Sequence, residues 1–419
     1  MKPLRASCLL LAVLTIPSLV PAQRPATAPC RRPAAKQFAP GAVVAINGVA
    51  TPPCQLVVQA TGVVLRADPE GKISNILRSV ARDSRGRYYT SAGFGEVTVW
   101  GPDGKVLRNF GRLGGGPGEF AKGILSISVD PTDNIYVKDN SLKWHVFSPD
   151  YAHLRSVGAN GMAHPPEASV FFAPFTLLTS QLPYGMMGHD FAIFDFSGKP
   201  ESGKAVYAPG GAGVGSVPPF VRGFGSRPGV AGGRYARYIS APVNGAFWAG
   251  PPAEGGRGYE LQLIGLDGTV KRTVRRSVSW WKPGTDVTRP SNSPSEHESA
   301  EEPELAPPPT AILAMRHDGS GLVYVMTRVT STRWGPAIAK ERDREAQEAL
   351  VLAALDIYIE VIDTDAGVVI ASSGPTPGTQ ALLTAVQGWF TKGWSGYRMS
   401  RDADGLPSVV MLEVSLRGK

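Results

Sequence analysis

The chain carries six histidines: His145, His153, His164, His189, His297 and His317. None stands in a His-Glu-x-x-His run or another tight ligand spacing, the pattern by which one element presents two metal ligands together. His145 alternates with Trp144 and Val146, so on a strand it is expected to point away from the core side of its sheet. His153 falls on an outer strand, His297 in an acidic stretch and His317 in a turn. That leaves His164 and His189 as the two in segments able to reach a ligand-binding mouth. There is no Gly-x-Ser-x-Gly elbow and no evident Ser/His/Asp grouping, so no catalytic residue and no metal ligand is assigned.

Binding chemistry has better candidates. Asp139 and Asn140 follow a strand, and Arg112 and Glu119 belong to a glycine-rich loop. Oxygens from the two loops could orient a ligand or hold a divalent cation. The competing role for Asp139 is to cap its own loop backbone. Trp280-Trp281 adjoins the basic run Lys271-Arg272 … Arg275-Arg276, and indoles on a loop can stack on sugars or anchor an interface. The candidate ligand-binding set is therefore Arg112, Glu119, Asp139, Asn140, Trp280 and Trp281. No cofactor is expected.

The 419 residues include 49 Gly and 37 Pro, an excess that argues for turns and against a helical bundle. Hydrophobic residues at 42% are enough for a sizeable core. Lys2 and Arg5, the apolar run Cys8–Ile16 and Val20-Pro21-Ala22 read as a secretory signal over 1–22. The mature chain has no transmembrane stretch and is expected to be secreted or periplasmic, and monomeric. Export leaves two of the three cysteines, Cys30 and Cys54, as a candidate disulfide; the alternative is two independent thiols.

The net charge of +8 suits an anionic envelope ligand, a carbohydrate or a protein partner. No basic run interleaves with aromatics, so nucleic acid is not expected. Residues 284–309 hold Asp286, Glu296, Glu298, Glu301, Glu302 and Glu304 against Arg289 alone, and read as a disordered acidic insertion. Residues 336–355 read as a helical insertion, with Ile338, Ala346, Leu350 and Ala353 on one face.

Residues 23–55 show no period and read as an N-terminal arm. From 56 to 419 short β-type runs alternate with turns. Asp83 and Asp130 stand 47 residues apart, as do Pro102 and Pro149. Four strands per unit at that period mark a propeller blade. Asp83, Asp130, Asp318 and Asp402 recur at equivalent turns, a backbone-capping signal. Weaker copies follow to the C-terminus, and Gln55–Arg66 could complete a last blade with the C-terminal strands.

The loop Phe110-Gly111-Arg112-Leu113-Gly114-Gly115-Gly116-Pro117-Gly118-Glu119-Phe120, followed by Ile127-Ser128-Val129-Asp130 and Asn134-Ile135-Tyr136-Val137-Lys138-Asp139, resembles the inter-blade segment of NHL-repeat six-bladed β-propellers. The resemblance implies an all-β fold of six four-stranded blades closed by N- and C-terminal strands. It covers mainly 76–157. Such propellers host hydrolases, lyases and pure binding proteins, so the fold does not select a function. With no metal constellation and no nucleophile in view, the expected function is a non-catalytic ligand- or protein-binding scaffold. The alternative is a metal-dependent hydrolase or lyase of the lactonase-like propeller class.

Overall fold

The computed structural model describes residues 29–47, 51–66, 80–92, 95–141, 143–158, 237–252, 258–281, 310–317, 319–335, 344–377, 395–401 and 406–419, the strands 169–173, 176–179, 192–195 and 204–207, and positions 338 and 341. The signal segment 1–22, the acidic insertion 284–309, His164, His189, His297, Asp318, Asp402, Trp389, Phe390 and Trp394 lie outside the described residues.

The described residues are mostly strand, arranged in six separate sheets. Two strands come first in the chain, β1 (Val43–Asn47) and β2 (Cys54–Arg66). The first sheet is β3 (Val80–Arg82), β4 (Tyr88–Ala92), β5 (Glu96–Trp100) and β6 (Val106–Phe110). The second is β7 (Ile124–Val129), β8 (Ile135–Asp139), β9 (Lys143–Phe147) and β10 (His153–Gly158). The third is β11 (Ser169–Ala173), β12 (Thr176–Thr179), β13 (Ala192–Asp195) and β14 (Lys204–Tyr207). The fourth holds β15 (Arg237–Ile239), β16 (Ala246–Pro252), β17 (Tyr259–Gly265) and β18 (Val270–Ser277), and the fifth β19 (Ala311–His317), β20 (Leu322–Thr330), β21 (Leu355–Asp363) and β22 (Val368–Pro377). The sixth joins β23 (Ser395–Arg401) and β24 (Pro407–Gly418) to β2 from the other end of the chain. Helix α1 (Arg344–Ala353) lies between β20 and β21.

The first and second sheets are copies at a 47-residue offset. β4 maps onto β8 and β5 onto β9 residue for residue. Even the irregularities repeat. The outer hairpin slips register between Val99 and Trp100 in one sheet and between Val146 and Phe147 in the other. A bulge kept at the same place in both copies sets the bend of the outer strand.

The segment 23–55, expected as an arm, contributes sheet. β1 runs parallel along β18, with Val44 and Ile46 buried and Val43, Ala45 and Asn47 outward. That period-2 alternation was masked by the Pro, Ala and Arg around it. Cys54, assigned to the arm, opens β2 and pairs with Gly418.

Apolar clusters join neighbouring sheets. Leu65, Tyr88, Trp100, Tyr397 and Val409 link the sixth to the first. Tyr89, Val97, Phe110, Ile127 and Phe147 link the first to the second. Ile193, Ile239 and Phe247 link the third to the fourth. Trp248, Leu261, Val323 and Val325 link the fourth to the fifth, and Leu56, Val414, Tyr324 and Ile359 the fifth to the sixth. The first, fourth, fifth and sixth sheets thus carry apolar clusters on both faces, and in the second all five residues of β8 are buried.

Antiparallel order gives each sheet two kinds of end. In the first, second, fourth and fifth sheets the connections from first to second and from third to fourth strand lie at one end. At the other lie the second-to-third connection and the crossover to the next sheet. Asp83, Asp103, Asp130, Asp267 and Asp363 cap turns of the first kind with backbone hydrogen bonds.

Candidate functional site

Every candidate from the sequence lies at the crossover end of its sheet. Arg112 and Glu119 sit on the crossover from β6 to β7, Asp139 and Asn140 where β8 leads to β9, and Trp280 and Trp281 just past β18.

The glycine-rich crossover folds on itself. Glu119 N–H donates to Gly116 O (3.1 Å) around Pro117 and Gly118, the latter at φ 74°, the pattern of a type II turn. Gly111 has φ 78°, and a Cβ there would stand 2.3 Å from the Phe120 ring, so only glycine lets that ring tuck in. Arg112 Nε donates to Glu119 Oε1 (2.6 Å), and Gly116 N–H to Oε2 (2.8 Å). These bonds, the backbone one first, hold the Glu119 carboxyl below its usual range. Glu119 therefore braces the loop, while Arg112 stays largely exposed.

Asp139 is fully buried and accepts from five groups: Ala121 N–H (3.0 Å), Ser141 N–H (2.9 Å) and Oγ–H (2.6 Å), Lys143 N–H (3.1 Å) and His145 Nε2 (3.1 Å). Burial would raise its carboxyl, but the bonds from His145, Ser141 and the backbone outweigh burial and hold it well below the carboxylate range. Asn140 Nδ2 donates to Lys122 O (2.5 Å). Asp139 and Asn140 thus fasten the crossover to the β8–β9 connection, the capping role the sequence left open.

His145 departs from expectation. It is buried at 3% exposure on the face toward the first sheet, with the Phe120 ring edge-on at 5.3 Å. The strand alternation holds, with His145 on the face opposite Trp144 and Val146, but both of those faces are buried. Its Nδ1 lies 2.9 Å from Ser156 Oγ, and Ser156 Oγ lies 3.0 Å from His153 Nε2. A Ser/His/Asp grouping is therefore present: Ser156, His145 and Asp139 come from three adjacent strands, β10, β9 and β8, which no linear motif displays. Burial lowers the His153 pKa, favouring its neutral form.

Ionised Asp139 only accepts, which fixes the direction of the chain when His145 is neutral. His145 Nε2–H donates to Asp139, Ser156 O–H to His145 Nδ1, and His153 Nε2–H to Ser156 Oγ. The equivalent residues of the first sheet, 47 positions earlier, are Ala92, Thr98 and Asn109. The chain is thus not part of the repeat, a signal legible by comparing the two copies position by position.

Trp280 and Trp281 are half-buried. Trp281 stacks on Tyr259 (centroids 4.7 Å) and Trp280 on Tyr358 (4.4 Å), so both join the core between the fourth and fifth sheets. Beneath them Arg276 Nη2 meets Glu360 Oε1 at 2.5 Å, both buried, and Arg276 Nη1 donates to Ile46 O (3.0 Å). Desolvation raises the Tyr259 hydroxyl well above its ordinary value.

Cys30 and Cys54 are disulfide-bonded, tying the first described residues to β2. Among the described residues no three His, Cys, Asp or Glu side chains group to hold a metal ion, and no helix is long and apolar enough to cross a membrane.

No protein-family model matches the chain, and no curated protein matches it. Among solved structures it is similar to a Bacteroides fragilis protein described as exported, at 10% identity, with 89% of this chain and 99% of that one covered and a TM-score of 0.51. It is more weakly similar to a Bacteroides caccae protein of unknown function (13% identity, 70% and 80% covered, TM-score 0.34). PorZ, a surface component of the type-IX secretion system of Porphyromonas gingivalis, matches at 14% identity, 79% and 38% covered and TM-score 0.35. The first likeness is one of fold.

Proposed function

We propose that the chain is an exported six-bladed β-propeller that works as a binding scaffold for an anionic envelope ligand, met at the crossover end of its blades. Support for the ring comes from the six sheets, the described apolar clusters that join the sixth sheet to the first, the first to the second and the third through to the sixth, and the β2–β24 pairing of the two chain ends. Closure of that kind leaves no open edge between first and last sheets. Export is supported by the signal-like segment 1–22, the Cys30–Cys54 disulfide and the exported Bacteroides fragilis protein of similar fold.

The observation that carries the binding reading is the placement of the candidates. Exposed Arg112, Asn140, Lys122 and Lys143 and the half-buried Trp280 and Trp281 all occupy crossover ends, whereas the capping aspartates occupy the opposite ends. In a closed ring this puts the indoles, Arg112, Lys122 and Lys143 on one disc face, where Glu119 is paired with Arg112 and Asp139 is buried, and Asp83, Asp103, Asp130, Asp267 and Asp363 on the other. The net charge of +8 favours a polyanion there.

The test is calorimetric titration with an acidic polysaccharide at two salt concentrations. Saturable binding that weakens with salt, and weakens further in Trp281→Ala and in Lys122→Glu/Lys143→Glu, is expected. Binding unaffected by all of these substitutions would place the ligand elsewhere.

A further inference from the structure

We propose that Ser156 is a nucleophile, activated by His145 and oriented through Asp139, that cleaves small acyl esters. This goes beyond the binding reading and does not depend on it. Three observations carry it.

The first is completeness. Every polar atom of the chain is within hydrogen-bond distance of its neighbour: Ser156 Oγ to His145 Nδ1 at 2.9 Å, His145 Nε2 to Asp139 Oδ2 at 3.1 Å. A hydroxyl becomes a useful nucleophile when a neutral base takes its proton and a third group fixes that base's tautomer. Asp139 supplies that third group, and it is itself anchored by four further donors at Ala121, Ser141 and Lys143.

The second is the gradient of exposure. Asp139 is wholly buried, His145 nearly so, and Ser156 and His153 are half-buried on β10, the outermost strand of the second sheet. The acceptor and base are enclosed, and the partly exposed end of the chain is the serine end. The glycine-rich crossover roofs the chain: Phe120 lies edge-on to His145, and a Cβ on Gly118 would stand 3.1 Å from His153 Cβ.

The third is the contrast between the copies. Where the first sheet has Ala92, Thr98 and Asn109, the second has Asp139, His145 and Ser156. The fold builds the same four strands, the same bulge and the same turns without the chain, so these three residues are not demanded by the architecture.

The reaction balances within the site and water. Ser156 Oγ forms a bond to the carbonyl carbon of the ester as its proton passes to His145 Nδ1. The carbon–oxygen bond to the alcohol breaks, and that proton leaves with the alcohol. Water then attacks the acyl-serine, giving its proton to His145 Nδ1. The Ser156 oxygen takes that proton back as the acid departs. His153 Nε2–H, 3.0 Å from Ser156 Oγ, is a donor beside the carbon under attack.

The test uses the full mature chain and a fluorophosphonate probe, with intact mass and peptide mapping, beside hydrolysis of p-nitrophenyl acetate. One adduct on Ser156 is expected at pH 8. It should be absent in Ser156→Ala, and its rate should fall by about 100-fold in His145→Gln, the usual worth of a general base. Melting temperatures of the variants separate a lost base from a lost fold. Wild-type protein that stays unlabelled at Ser156, or labelling unchanged in a folded His145→Gln, would overturn the proposal. Neither result bears on polysaccharide binding by the Trp281 face.

Discussion

Asp133 takes in the second sheet the turn position that Gly86 takes in the first, and its carboxylate reaches back to hold the first sheet's turn at Ser84. Both residues have positive φ, 79° for Gly86 and 68° for Asp133, and each donates its N–H to the aspartate three positions before it. Asp133 Oδ1 accepts Ser84 N–H at 2.8 Å, and Oδ2 accepts the Ser84 hydroxyl. One copy therefore uses glycine for the left-handed backbone, while the next accepts some strain and gains a link between the two sheets.

Two substitutions separate the strain from the link. Asp133→Gly removes the link and relieves the strain, whereas Asp133→Ala removes the link and keeps the strain. A non-glycine residue in the left-handed region costs about 1–2 kcal/mol. Asp133→Ala should therefore be less stable than Asp133→Gly by about 1 kcal/mol in urea unfolding. Equal stabilities would show that the backbone at 133 relaxes out of the left-handed region.

Lys138 predicts an unusual alkaline response. It is 2% exposed on β8, with its ammonium 5.5 Å from the Trp144 ring centroid, and burial lowers its pKa to about 8. The unfolded chain holds that proton to about pH 10.4. Between those values the unfolded state binds more protons, so this group makes stability rise with pH; below pH 8 its full cost is present. The difference in unfolding free energy between Lys138→Met and the wild type, measured from pH 7.5 to 9.5, should shrink steadily as pH rises. A difference that stays flat over that range would mean that folded Lys138 keeps its proton throughout, as a solvated lysine does.

The extent to which the sequence discloses this molecule depends on how local each feature is. Turn chemistry at Asp83, Asp130, Pro102 and Pro149 is local, so the 47-residue repeat and the four strands of its units are readable directly. β1 escapes because Val44 and Ile46 alternate over only five residues within a Pro- and Arg-rich stretch, and its partner β18 lies more than 200 residues away. The site is harder still. Glu119 and Asp139 are visible as carboxylates, but whether they meet a ligand or the backbone depends on hydrogen bonds across the crossover. His145 and Ser156 stand opposite each other across two antiparallel strands, a pairing set by the bulge between Val146 and Phe147. Shifting that register by one residue would turn Ser156 to the other face, so the Asp139–His145–Ser156 chain exists only once the hairpin is built.

The Arg276–Glu360 pair tests how the fourth and fifth sheets are held in register beneath Trp280 and Trp281. The two charges are buried, at 1% and 6% side-chain exposure, and Arg276 is also held by Ile46 O. Attraction between buried charges roughly offsets their desolvation, so the pair as a whole contributes little net stability. Removing one partner is different, because the other stays buried without compensation. Glu360→Gln should therefore destabilise the fold by about 3–5 kcal/mol, while Arg276→Met/Glu360→Leu should recover most of that loss. A double-substitution cycle in urea, followed by tryptophan fluorescence, reads both quantities, since Trp281 stacks on Tyr259 beside the pair. A double variant as unstable as Glu360→Gln would mean that the pair supplies net stability. Recovery in stability with a displaced emission maximum would mean that its contribution is to the placement of the indoles.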